Sequence, residues 1–381
     1  MRVLYFSDNG SGHNRRFLEK LSSSGHEVWF LDSSRKQPPD GWLPSGVRLW
    51  EPEHTVSSGL APNEYRGFLP EFQRCVNQIE PDLVHAGPVQ SSAFVGALSG
   101  FHPLVVVSWG SDILLHAKRD SAWKEATAIA LHGADGFFCD CDAVRKEAKE
   151  FSSIPDSSIA QFPWGVRSGL FSPSGPLPSD KRITIDPETV PIISTRSWEH
   201  LYGITTLMMA FQIAYSRDPR LRLFLLNHGP EAGYVKNFIA DHQLGNAVFT
   251  PGTIASEELP AWYRAAKGYV SCTESDGTSV SLLEAMATGL PVVVSNLPAN
   301  REWVKEGENG WLARAGSPEE FASKFLCLAG LEENERKAIA ARNQKIVAER
   351  ADWDKNFPRL LTLYDHVVSR AGNFKPRKRV G

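Results

Sequence analysis

Two doubly wound α/β domains are expected from this chain, each a parallel sheet between layers of helix. Three observations predict them. Short apolar runs, often β-branched, alternate with helical stretches over the first 164 residues. Residues 165–190, GVRSGLFSPSGPLPSDKRITIDPETV, are rich in Pro, Ser and Gly and read as a linker. The same alternation then restarts.

In the first half, strands are expected at 2–6 (RVLYF), 26–31, 47–50, 82–87, 103–109 (PLVVVSW), 136–140 and 159–164. Helices are expected between them at 14–23, 64–80, 90–99, 120–132 and 143–151. The strand runs are almost wholly apolar, as in strands covered on both faces. Beyond the linker, strands are expected at 191–195, 221–227, 247–252, 268–272 and 291–296. Their helices are 203–216, 231–243, 256–266, 279–288, 299–306 and 318–329, followed by closing helices at 332–349 and 353–370. The domains are therefore drawn at 1–168 and 169–352, with 353–381 returning to complete the first. Two such sheets facing each other leave a cleft beyond the carboxyl ends of their strands, where ligands bind in this architecture.

Composition narrows the function. The 381 residues are 42% hydrophobic and 22% charged, enough for an ample core. The net charge of −3 offers no basic field to a nucleic acid. Five scattered cysteines, Cys75, Cys139, Cys141, Cys272 and Cys327, fit a reducing compartment. Cys139 and Cys141 lie too close together for a usual zinc knuckle. The start, MRVLYFSDNG, is too short and polar for a signal peptide, and no apolar run approaches the ~20 residues of a membrane span. A cytoplasmic protein is expected. The basic end, NFKPRKRVG, reads as a solvated tail, with weak contact to an anionic inner membrane face as the alternative.

The most informative stretch is GYVSCTESDGTSVSLLEAMATG, 268–289. It reads as a strand, a small polar loop and a helix with Thr278 or Ser279 as N-cap and Gly289 as stop. Free N–H groups and the helix dipole at such a junction attract phosphate, here at Gly277, Thr278, Ser279 and Val280. Glu284 follows five residues in, at a rise of about 7–8 Å, roughly the reach from a pyrophosphate to a ribose. A carboxylate there suits two vicinal hydroxyls. Asp276, ahead of the helix, is placed to accept from hydroxyls beyond the phosphates. The plain alternative is a turn aspartate and a solvated glutamate. It fits poorly, because Glu284 lies between SLL and AMA, where an unpartnered carboxylate is costly.

The stretch DGTSVSLLEAMATGLPVVVSNLPANREWVKEGENGWLA, 276–313, resembles the nucleotide-sugar site of retaining glycosyltransferases of family four, which have the GT-B fold. Asp276 and Glu284 fill the two acidic positions of that family's signature, spaced by seven residues; Glu302 and ENGWL fill its later positions. The resemblance implies that Asp276 and the backbone after it hold the donor sugar and that Glu284 holds the nucleotide ribose. PWGVRSGLFSP (163–173) resembles the family's interdomain segment, and Arg196 in ISTRSWEHLYG matches its pyrophosphate arginine. The family's lysine before the following glycine is Tyr202 here, with Arg15, Arg16 or His228 as candidate substitutes.

In the first domain, DNGSGHNRR (8–16) follows the first strand, and Gly12 permits close approach to a donor phosphate. SWGSD (108–112) stands where relatives often carry His-Gly-Thr-Asp, so Trp109 replaces the histidine and Asp112 keeps the aspartate. Trp109, His13 and His85 are candidates for the acceptor side, and Asp276, Arg196 and Asp112 for catalysis. Asp-Cys-Asp at 140–142 resembles the metal signature of the other glycosyltransferase architecture, but Asp142 is most simply an N-cap. No metal or other cofactor is expected, since a helix N-terminus and Arg196 stabilise a leaving diphosphate. The expected activity is transfer of a sugar, with retention, from a nucleotide-diphosphate sugar (UDP-sugar first) to an unidentified hydroxyl on a glycan, lipid-linked or small acceptor. A sugar phosphorylase or epimerase, or a non-catalytic nucleotide-sugar-binding protein, is the alternative.

Overall fold

A computed structural model describes residues 1–167, 169–180 and 186–373. The chain divides into two compact units, Met1–Phe162 with the segment from Asn356 onward, and Pro163–Lys355. The first division falls ahead of the expected 168, because the backbone after Phe162 is bonded into the second unit. Val166 N donates to Ala351 O (2.8 Å) and Trp353 N to Val166 O (3.1 Å). The basic tail beyond Asn373 lies outside the described residues.

The first unit's sheet comprises β1 (Arg2–Ser7), β2 (Glu27–Asp32), β3 (Val47–Leu49), β4 (Leu83–Ala86), β5 (Leu104–Val107), β6 (Gly136–Cys139) and β7 (Ile159–Gln161). Their spatial order is β3-β2-β1-β4-β5-β6-β7, and every pairing is parallel. β4, β5 and β6 are buried at every residue, which is why their sequences show no alternation. The closing helix Pro358–Asn373 crosses β6, where a side chain on Gly136 would press on Leu363 and Val367.

The second unit's sheet comprises β8 (Val190–Ser194), β9 (Leu221–Leu226), β10 (Val248–Gly252), β11 (Gly268–Ser271), β12 (Val292–Ser295) and β13 (Gly310–Ala313). The order is β10-β9-β8-β11-β12-β13, again all parallel. Adjacent residues of one strand enter opposite cores. Ile192 packs toward the helices Ile204–Arg217 and Pro318–Ala329, and Ile193 toward the helices Val280–Ala287 and Glu333–Arg350. β13 was not expected from sequence. It is four residues long, and its Asn-Gly-Trp-Leu stretch reads as a loop until β12 pairs with it.

Each sheet reverses its order of growth once, between β1 and β4 in the first and between β8 and β11 in the second. Loops leaving the carboxyl ends of two such strands diverge to opposite faces and open a crevice. In the second unit those loops carry Arg196 after β8 and Asp276 after β11.

Candidate functional site

The second unit builds its site from the loop after β8, the loop after β11 and the helix Val280–Ala287. Ser279 caps that helix, its side chain accepting from Leu282 N (3.4 Å). The guanidinium of Arg196 lies across the cap. Its Nη2 donates to Asp276 Oδ2 (2.8 Å) and its Nη1 to Ser279 Oγ (3.0 Å), with Ser281 Oγ at 3.4 Å. The side chains of Arg196 and Asp276 are 15% and 19% exposed, so the pair is mostly shielded from water. Burial pushes the Asp276 carboxyl above its usual range, with Arg196 opposing it. The Arg196 Nε–H is buried and finds no hydrogen-bond partner among the described residues.

On its other side the guanidinium stacks on Tyr202, Cζ lying 4.0 Å from the ring centroid. Tyr202 closes the 3₁₀ turn His200–Tyr202, which ends in Gly203 at φ +65°. A Cβ on Gly203 would lie 2.0 Å from the carbonyl oxygen of Cys272, so only glycine lets the two loops approach this closely.

Glu284 is half-buried one turn and a half along the helix. Its Oε2 accepts from Tyr263 OH (3.1 Å), which lies 3.0 Å from Thr195 Oγ1. With the phenolic proton given to Glu284, Tyr263 accepts from Thr195, and the chain ties the carboxylate back to the end of β8. Tyr269 OH meets Ser281 Oγ at 2.8 Å, and Trp303 Nε1 donates to Thr278 Oγ1 (3.3 Å). The structure therefore gathers Arg196, Asp276, Gly277, Thr278, Ser279, Val280 and Glu284 on one loop–helix junction. Tyr202, noted from sequence only as the residue at the family's lysine position, completes it together with Tyr263, Tyr269 and Ser281, and these last three were not among the residues expected from sequence. Their aromatic and hydroxyl side chains read as ordinary core or helix-start residues until the fold brings them together.

The first unit's candidates divide. Gly12 opens the helix Gly12–Ser22 instead of lying in a loop, Ser11 being its cap, and a Cβ on Gly12 would meet nothing within 4 Å. His13 follows in the same first turn. Trp109 is half-buried at the carboxyl end of β5. His85 does not line a site. It is fully buried, stacked on Tyr5 (centroids 4.6 Å apart) with Nδ1 2.5 Å from Tyr364 OH, and burial drives its imidazole down to about 3, which keeps it neutral. Asp112 is corrected as well. Its carboxylate accepts from Ser108 Oγ (2.6 Å), Val89 N (3.1 Å), Ile113 N (2.9 Å) and Trp109 N, so it is buried and taken up in organising the loop after β5. Asp142 begins the helix Asp142–Lys149 and is not its cap. It pairs with Lys146 at 2.6 Å.

Asp8 was missed by sequence. It lies just past β1, 6% exposed, and accepts from Tyr65 OH (3.2 Å) and Asn9 Nδ2 (3.1 Å). Burial lifts its carboxyl to about 6, with Asp32 adding and hydrogen bonds from Ser91 and Tyr65 opposing. A folded value above the unfolded one means stability present at low pH is lost as pH rises through about 6. Asp8→Asn has no such ionisation. Between about pH 4 and pH 7 the native protein should lose roughly 3 kcal/mol relative to this variant in urea unfolding. Parallel pH profiles would refute the shift.

Among the described residues, Glu53, His54 and Glu71 approach closely enough to share a metal ion. However, Arg74 already pairs with both carboxylates.

The family model for glycosyl transferases group 1 matches residues 179–346, and that for glycosyl transferase 4-like matches residues 2–140. The chain belongs to the group 1 glycosyltransferases. The two matches divide the chain much as the structure does, and the junction of Arg196, Asp276 and Ser279 lies wholly in the first of them. The chain is 24% identical over 212 residues to a D-inositol 3-phosphate glycosyltransferase of Pseudarthrobacter chlorophenolicus, covering 55% of this chain and 50% of that protein. The chain thus spans about half the length of the curated relatives first matched. Its fold is that of sucrose-phosphate synthase from Thermosynechococcus elongatus, with TM-score 0.83, 18% identity, and 97% and 100% of the two chains covered. It is also that of Anabaena HepE in complex with UDP and glucose, with TM-score 0.77, 19% identity, and 96% and 99% covered. These are two-domain GT-B structures, so the expected fold class is present. No helix among the described residues is long and apolar enough to cross a membrane.

Proposed function

We propose that this glycosyltransferase moves a sugar from a UDP-sugar to an acceptor hydroxyl with retention of anomeric configuration. The observation that carries the reading is the placement of Arg196 across the capped N-terminus of the helix Val280–Ala287, with Glu284 deeper on the same helix. A diphosphate at that cap meets free N–H groups, the helix dipole and a guanidinium. Glu284, oriented by Tyr263, is placed for the ribose hydroxyls. Asp276 and the backbone of Gly277 and Thr278 are assigned to the transferred sugar. Complexes of the structurally similar HepE contain UDP, UDP-glucose, or UDP with glucose, which supports UDP as the first donor to test.

In the step proposed, the bond from the anomeric carbon to the β-phosphate oxygen breaks. The acceptor oxygen bonds to that carbon on the same face, and its proton passes to the departing phosphate oxygen. Arg196 and the helix N-terminus stabilise the charge that develops on the phosphate. No protein nucleophile or metal is assigned. Acceptor recognition is assigned to the first unit, through His13, Trp109 and the loops near them; the acceptor itself is left as a hydroxyl compound.

The test is calorimetric titration with UDP, GDP and ADP, joined to hydrolysis of the matching sugars without acceptor. UDP should bind, and Glu284→Ala should weaken it by about 100-fold, the loss expected for a charge-assisted contact to vicinal hydroxyls. Equal affinity in the variant removes the ribose role, and binding of none of the three nucleotides removes the reading.

A further inference from the structure

Arg196 has a neighbour to which the donor reading gives no task. The Tyr202 ring covers one face of the guanidinium at 4.0 Å, while Asp276 and Ser279 take the two terminal nitrogens. The backbone of Tyr202 is fixed independently of that contact. Tyr202 N donates to Glu199 O (3.1 Å), Gly203 N to His200 O (2.9 Å), and Glu274 N ties the loop after β11 to Leu201 O (2.9 Å). A rigid turn thus presents an aromatic face to a side chain that would otherwise sample many rotamers.

The charges around it are unusual for an anion site. The guanidinium already faces a carboxylate, Asp276, before any diphosphate arrives. Tyr202 adds no charge, since burial raises its hydroxyl above the ordinary value, Arg196 notwithstanding. It has a π-face, which attracts the cation without competing for its N–H groups.

We propose that Tyr202 is the positioning residue of the donor site: its ring holds Arg196 at the helix cap, and its lack of charge sets how tightly the nucleoside diphosphate is bound. This rests on the donor reading above. It follows that the site holds bare UDP loosely. Asp276 competes with phosphate for Arg196, and only a donor whose sugar hydroxyls engage Asp276 relieves that competition. The preference for sugar-loaded over spent nucleotide is thereby built into the resting ion pair.

UDP titration of the full chain and three variants, at low and moderate NaCl, tests the proposal. Tyr202→Phe keeps the ring and should bind UDP within about twofold of the native protein. Tyr202→Leu removes the π-face and should bind about 5–10-fold more weakly. Tyr202→Lys places a second cation beside the phosphates and should bind about 5–10-fold more tightly, with a steeper loss on adding salt. Thermal melting of each variant separates misfolding from lost positioning, and the Phe and Lys arms do not depend on the Leu variant folding. If UDP binds the native chain but the Leu or Lys variant matches it, the role of Tyr202 falls and the donor reading stands. If the native chain binds no nucleoside diphosphate, both fall.

Discussion

Arg196→Met should lower turnover of a UDP-sugar by about 10²–10³-fold, the loss typical of removing one preorganised electrostatic donor. The guanidinium is the one side-chain cation that contacts the helix cap among the described residues, where its two terminal nitrogens reach different elements. Lysine cannot reproduce that fork, so Arg196→Lys should be nearly as damaging. The substitution also strands Asp276, whose side chain is 19% exposed and whose carboxyl is already pushed upward by burial. Removing one partner of a buried pair is destabilising, so lost activity alone would be ambiguous. The double variant Arg196→Met/Asp276→Asn separates the two effects. It should recover the melting temperature and remain inactive. Recovery of activity alongside stability would show that Arg196 serves folding only.

The second large effect is on stability. Asp112→Ala should cost about 3 kcal/mol in urea unfolding, because it takes the carboxylate acceptor from Ser108 Oγ and from the backbone N–H groups of Val89 and Trp109. Asp112→Asn should fare little better, since half of its amide presents donors to donors. Trp109 is anchored by the same carboxylate, so the loop after β5 should loosen in parallel. A variant that keeps native stability but loses activity would return Asp112 to the catalytic role its sequence context suggested.

These residues differ in how much of their setting the sequence reveals. Arg196, 80 residues away, was named only through the family resemblance, but Asp276 and Glu284 sit in a motif whose spacing already carries chemistry: a polar loop, a cap and a carboxylate at a fixed rise along one helix. Local geometry decides it, and local geometry is visible in sequence. Asp112 and His85 also end or follow strands, but whether such a residue faces the crevice or the core depends on what packs above it. For His85 that is Tyr364, 279 residues later. Asp8 shows the converse, since its partner Tyr65 comes from the distant short helix Pro62–Tyr65 and nothing near Asp8 announces it. The sheets themselves were legible because strands covered on both faces are continuously apolar. β13 was not, being too short to show a pattern before pairing.

The reversal of strand order between β8 and β11 brings Arg196 and Asp276 into contact across 80 residues of chain. Neither loop has the crevice alone, and no local fragment can assemble it before the central pairing of β8 with β11 closes. A nucleotide that occupies the crevice therefore binds only the completed unit, and mass action makes it a stabiliser of the whole sheet. Saturating UDP should slow amide exchange in β8 and β11 together, so a bound nucleotide would double as a reporter of global unfolding in this half of the protein.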